Sequence, residues 1–306
     1  RALGLLGLAL VLSLMVNASR LWSSYEYGKE SNGGKSNLTT DSAEEKNGLS
    51  KEYAYGWSQG VAECFTFVVP NLYGGPTGID ELVKPESNTY KALQSVTGGD
   101  PTQAIQQLAG NIGLQQYWGE KPFTSGPYYF GAIVCFLFVF GLLIVRSRLK
   151  WWILATTILF MLLSFGKNFP LVSDLFFEYF PMYNKFRAVE SILAIVGLMV
   201  PVLAFLAVKE AQESTLDQKT LVKKLSIAAG ITGGFALLVA VMPTALFSFT
   251  NSMHGQMVQA LTQIAQNNAS VAHSIANALV EDRVGIARAD ALRSLLFIAI
   301  AYGLVW

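Results

Sequence analysis

Charge is scarce in this chain. Only 14% of its 306 residues are Asp, Glu, Lys or Arg, against about 25% in soluble domains. The 22 basic and 21 acidic side chains leave a formal net charge of +1, so there is no basic field to attract a nucleic acid. Cysteine is nearly absent as well. Cys64 lies in a polar stretch and Cys135 midway along an apolar run, so a disulfide between them is not expected. Neither has a metal-ligand spacing. The two histidines, His254 and His273, are isolated. No nucleotide-binding loop or nucleophile elbow is present. No cofactor is therefore expected, and nothing in the sequence supports a divalent metal.

Apolar residues, by contrast, make up 52% of the chain, and its mean hydropathy is +0.39. The organising stretch is Trp151–Val208. A bilayer core about 30 Å thick takes about 20 apolar residues as a helix. Ala188–Val208 has that length, and Trp151–Phe165 is somewhat shorter. Between them lies a linker at 166–187, too aromatic for an ordinary solvated loop and too charged for lipid. Rings and cations together favour the headgroup level, so we expect an amphipathic, re-entrant or interface-hugging segment.

Further apolar runs occur at Ala2–Val16, Tyr128–Val145, Leu225–Phe249 and Ala291–Trp306. The expected fold class is an all-α membrane protein with about six transmembrane helices, a large outer-face loop region and interfacial helices. Residues 1–16 and 291–306 read as truncated spans, and the chain as an internal fragment of a longer protein. Residues 17–127 form the loop region, with a flexible Lys29–Lys51. Within it Asp100 is expected to cap a helix over Thr102–Ile112, with Pro101 in the first turn. The stretch Glu63–Val69 fits a short helix or a strand. Residues 128–250 hold four spans and the linker. Residues 251–290 are expected to form two interfacial helices broken near Asn267-Asn268, with Met257, Leu261, Ile264, Val271, Ile275 and Leu279 at helical spacing. Pro201 and Pro243 are positioned to kink their helices, and Gly230 with Gly234 has a helix-packing spacing.

Two short basic connectors, Arg146–Lys150 and Lys209–Lys224, fall on one side of this arrangement. The positive-inside rule makes that side the cytoplasm. The other three connecting regions then share the outer face.

On that face Lys167, Lys185 and Arg187 lie beside span ends. They fit either a lipid-borne phosphate or snorkelling with internal pairs to Asp174, Glu178 or Glu190. Glu63, next to apolar Phe65–Val69, fits either an acid–base role or a local structural pair. Trp57, Tyr73, Trp118 and Tyr183 fit either sugar stacking or an interfacial aromatic belt. Asp282-Arg283 and the charges over Arg288–Arg293 read as local ion pairs at the start of the last span.

Several segments together carry a resemblance. They are Trp57–Glu63 with Pro70–Gly75, Tyr117–Pro127, Ser164–Asn168 with Phe180–Arg187, and Asp282-Arg283 with Ala289–Ser294. In combination they resemble the YfhO-like bacterial membrane proteins, in the version seen in Bacteroidetes-type bacteria. That family is similar to the GT-C glycosyltransferases. The resemblance implies a bacterial inner-membrane protein with its large loop in the periplasm. It implies a polyprenyl-phosphate-linked sugar as donor and a cell-surface glycan or polymer as acceptor. It places the usual catalytic aspartate upstream of Arg1, which leaves Glu63 as the weak catalytic candidate here. Lys167, Lys185, Arg187, Tyr183, Trp57 and Trp118 become the expected substrate contacts. A flippase of lipid-linked saccharides and a non-catalytic envelope scaffold remain as alternatives. The absence of charge within Tyr128–Val145 and Ile192–Val208 counts against the flippase.

Overall fold

A computed structural model describes residues 2–30, 48–213 and 217–306. Most of the loop expected over Lys29–Lys51, and the middle of the Lys209–Lys224 connector, lie outside these residues. Helix accounts for 73% of the structure, with no strand among the described residues. The helices are α1 (Ala2–Val16), α2 (Ala18–Glu30), α3 (Lys51–Ala54), α4 (Asn88–Thr97), α5 (Thr102–Ile112), α6 (Ala132–Ile144) and α7 (Leu149–Ser164). They continue with α8 (Pro170–Tyr179), α9 (Leu193–Glu213), α10 (Gln218–Val241), α11 (Pro243–Leu246), α12 (His254–Ile264) and α13 (Ala269–Val305).

Two helical stretches, Val189–Glu213 and Gln218–Val241, are long and apolar enough to cross a membrane. The pair α1 and α2, bent by 65° at their junction, makes a third if it is one span. Helices α6 and α7 have 13 and 16 residues, or about 20 and 24 Å at 1.5 Å per residue. Helices α6, α7, α9, α10 and the second half of α13 share one core. Phe136, Phe140, Leu203, Leu225 and Ile298 lie at its centre. Small residues allow the close approaches: a Cβ added at Gly141 would come within 2.9 Å of the Leu203 carbonyl on α9.

A second core lies outside this bundle. Leu93 of α4, Ile105 and Leu108 of α5, Met257 and Leu261 of α12, and Ile275 and Leu279 of α13 close on one another. The helical spacing in the polar stretches thus builds a small helical body, because α4 and α12 lay their apolar stripes on α13 and α5 packs on α4.

Several expectations need correction. The break near Asn267-Asn268 is present, with Gln266 and Asn267 at positive φ. No second break follows: α13 runs 37 residues without interruption, about 55 Å, joining the second body to the bundle. The span expected over Leu225–Phe249 starts earlier, at Gln218, and stops at Val241. Pro243 ends it there and opens α11, since proline cannot donate to the preceding turn. Gly230 and Gly234 face open space, and it is Gly233 that meets Leu295 and Ile298. Asp100 lies one position too early to cap: Pro101 occupies the N-cap, and the Asp100 carboxylate accepts from the Thr102 amide. Of the two alternatives for the Glu63 region the short helix holds, as a 3₁₀ turn over Ala62–Phe67.

The basic connectors do meet at one end. Arg146 reaches Glu210 at 3.5 Å. Lys150 and Lys224 donate to the carbonyls of Leu142 and Leu143, which end α6. The second helical body and the expected site residues lie towards the opposite end of α13.

Candidate functional site

A buried charge cluster sits where the 3₁₀ turn Ala62–Phe67, the Tyr117–Lys121 loop and the start of α9 converge. Lys121 Nζ lies 3.1 Å from Glu63 Oε2 and 2.6 Å from Glu190 Oε2. The Lys121 and Glu63 side chains are 3% and 5% exposed, and Glu190 15%. Tyr117 donates its hydroxyl to Glu63 Oε1 at 3.0 Å. Burial, helped by the Glu63 charge, raises the Tyr117 pKa, so the phenol remains a donor. Glycines make the fit possible: a Cβ at Gly119 would collide with both the Tyr117 hydroxyl and Glu63 Oε1. Two carboxyl groups thus share the one lysine side chain, which is held out of solvent between them. The cavity beside it, lined by Gln59, Glu63, Thr66, Tyr117 and Lys121, measures about 10 Å³, too small for a sugar ring. Nearby Cys64 is a free thiol, its pKa pushed up to about 12 by burial.

Sequence reasoning singled out Glu63 and missed Lys121 as its partner. The available signal was a lone lysine inside the aromatic, Gly- and Pro-containing Tyr117–Pro127 segment.

A second group lies at the same end, on the surface. The guanidinium of Arg187 sits 4.4 Å from the Trp57 ring centre and 5.0 Å from that of Tyr53. Its NH1 donates to the Tyr53 hydroxyl at 2.8 Å. Stacking and this bond hold the planar fork in place while the residue stays exposed. Trp57 is fastened in turn by Nε1 to the Phe123 carbonyl and by an edge contact with the Phe123 ring. The backbone follows suit: the Ala188 amide donates to the Ala54 carbonyl, and that of Glu190 to Trp57.

The remaining expected residues separate. Lys167 is exposed, and its backbone amide donates to Ser58. Lys185 is half-buried in the 3₁₀ turn Tyr183–Lys185. Tyr183 packs its ring edge on Phe176, and burial pushes its phenol up to about 12. Trp118 is 5% exposed, stacked on Tyr73 at 3.9 Å and bonded to the Leu72 carbonyl. It therefore belongs to the core, and neither a sugar nor the bilayer interface can use its face.

Asp174 and Glu178 have a cation from outside the linker. Both hold Lys51, at 3.1 and 2.9 Å, because one helical turn aligns them towards the 51–55 segment. Asp282 and Arg283 are not a pair either. Neighbours on a helix diverge by about 100°, and each finds its own partner. Asp282 accepts from the amides of Asn88 and Thr89 at the start of α4. Arg283, 2% exposed, donates to the carbonyls of Phe249 and Gln115, and burial lowers its pKa to about 10. Arg288 donates to the Ala240 carbonyl, and Ser294 to that of Val68. Asp290 does form the expected local pair with Arg293, at 2.9 Å, and also accepts from the Asn71 amide. The polar row along α13 thus pins several loops to one helix.

No group of three or more His, Cys, Asp or Glu side chains among the described residues is arranged to hold a metal. No family model matches the chain, and no curated protein or solved structure matches it either.

Proposed function

We propose that this chain is part of a multi-pass membrane glycosyltransferase that takes its sugar from a polyprenyl-phosphate donor and delivers it to a cell-envelope acceptor. The reaction class rests on the resemblance of the motif segments to GT-C-like proteins. On this reading the five bundle helices together with the α1–α2 pair contribute about six spans to a bacterial inner membrane. The basic connectors face the cytoplasm and the outer helical body faces the periplasm.

The observation that carries the donor contact is the held guanidinium of Arg187. Stacked between Tyr53 and Trp57, it is oriented in advance, so less side-chain freedom is lost when its N–H edge meets a phosphate. Lys167, on the same linker, adds a second positive charge. As the polyprenyl phosphate leaves, these cations stabilise its charge. Glu63 and Glu190 supply carboxylates at the same end, with Lys121 holding both.

The test is transfer of a radiolabelled sugar from a polyprenyl-phosphate donor by the full-length protein in membranes. Arg187→Ala should raise the donor KM strongly, and Arg187→Lys should recover only part, since an ammonium neither stacks nor forks in the same way. Unchanged transfer in Arg187→Ala removes this residue from donor binding.

A non-catalytic scaffold of the cell envelope is the second reading. It is favoured by one observation: Arg187 and Lys167 line neither the cavity at Glu63 nor the wide polar groove between Asn88 and Ser270–Glu281. Absence of transfer with every donor tried, in a folded full-length protein, would favour it.

A further inference from the structure

Helix α8 is amphipathic in the reverse sense to a helix on a soluble protein. Ser173 is fully buried against the body, and Phe177 sets its edge against the Tyr55 ring. Along the neighbouring edge, Asp174 accepts from the Tyr55 hydroxyl, and Asp174 and Glu178 hold Lys51. The charged positions are thus tied to the protein. The outward stripe is apolar: Leu171, Leu175 and Tyr179, one turn apart, are 75%, 56% and 77% exposed. A soluble helix turns such a stripe inwards.

We infer that the outward stripe of α8 is immersed in a phospholipid monolayer, with the helix lying in the plane of the interface. Two further observations select lipid as the occupant. The stripe lies between α7 and α9 in the chain, and both present apolar side chains outwards, Ile158 at 48% and Phe205 at 76% exposed among them. Helix α8 packs directly against α7, so its apolar stripe lies beside a helix whose own exposed side chains are apolar. The stripe is also bracketed by exposed cations, Lys167 before it and Arg187 after it. Cations at the ends of an interfacial apolar face reach the level of lipid phosphates. This inference rests on the apolar bundle and is independent of glycosyl transfer.

The test uses the full chain with Cys64 and Cys135 replaced by Ala, reconstituted in vesicles of phosphatidylethanolamine and phosphatidylglycerol. Leu175→Cys and, separately, Leu171→Cys carry a bimane fluorophore. Gln106→Cys, on the exposed face of α5, is the water-facing control. A nitroxide on the upper acyl chain should quench the two α8 positions several-fold more than the control, and aqueous iodide should do the reverse. Iodide quenching equal to that at Gln106 overturns the inference, because the stripe then lies in water. Protection from both quenchers also overturns it, because protein then covers the stripe. Both variants alter exposed side chains, and agreement between them guards against a local disturbance at one site.

Discussion

Lys121 and Glu63 face each other at 3.1 Å with both side chains almost wholly out of solvent. Glu190 approaches the same ammonium from the 3₁₀ turn Val189–Ile192, just before α9. The consequence is that Lys121 joins three separate segments of the chain. Removing one partner of a buried ion pair costs about 3–5 kcal/mol, because the other charge is left uncompensated. Lys121→Met should destabilise the protein by about that much in detergent denaturation. Adding Glu63→Gln to it should restore part of the loss. A single variant as stable as the parent would show that the two carboxylates do not depend on Lys121.

Arg283 occupies the opposite situation, a buried cation held by carbonyls. Arg283→Met leaves the carbonyls of Phe249 and Gln115 without this donor. The expected loss is about 3 kcal/mol, at 1–3 kcal/mol for each unsatisfied buried group. Arg283→Lys should fall in between, since one ammonium cannot copy the spread of the fork. Denaturant midpoints of the two variants, compared with the parent, provide the measurement.

Asp282 acts at a distance in sequence as a cap for α4. With Ser87, whose hydroxyl accepts from the Tyr90 amide, it satisfies three amides of the first turn. Asp282→Ala should cost about 0.5–2 kcal/mol, the usual range for a lost cap. The effect should be local. Amide exchange over 88–97 should accelerate while that of α6 and α9 stays unchanged. Uniform acceleration throughout would mean that α4 does not open separately.

His254 introduces a pH dependence. Burial first, then the charges of Arg283 and His273, lower its pKa from 6.5. The unfolded chain therefore takes up a proton more readily than the folded one. This contribution to stability is present above pH 6.5 and is lost as pH falls through 6.5 towards the lower folded value. His254→Gln should flatten the decline in melting temperature over that window. An unaltered slope would assign the acid sensitivity to other groups.

Much of the architecture was legible from local pattern. The break after α12 follows from polar residues interrupting an apolar stripe, and Met257, Leu261, Ile275 and Leu279 fall on the core side as their spacing requires. Ile264, in the same stripe, is 57% exposed. The last span was misjudged because charges at Asp282–Arg293 look like a boundary. In the fold they are taken up by capping amides, loop carbonyls and one local ion pair, so the helix runs on through them. Trp118 was misplaced for a related reason: an aromatic in a polar loop looks exposed until Tyr73 covers it.

By itself the sequence determined the helical character, the apolar bundle and the gathering of basic connectors, because these follow from periodicity and composition within short windows. Only the tertiary structure decided who partners whom: Lys121 with Glu63 and Glu190, Asp174 and Glu178 with Lys51, and Arg283 with two carbonyls. The physical reason is range. Helix formation is settled by residues three and four apart, whereas a buried charge takes whichever opposite group the packing of distant segments delivers to it.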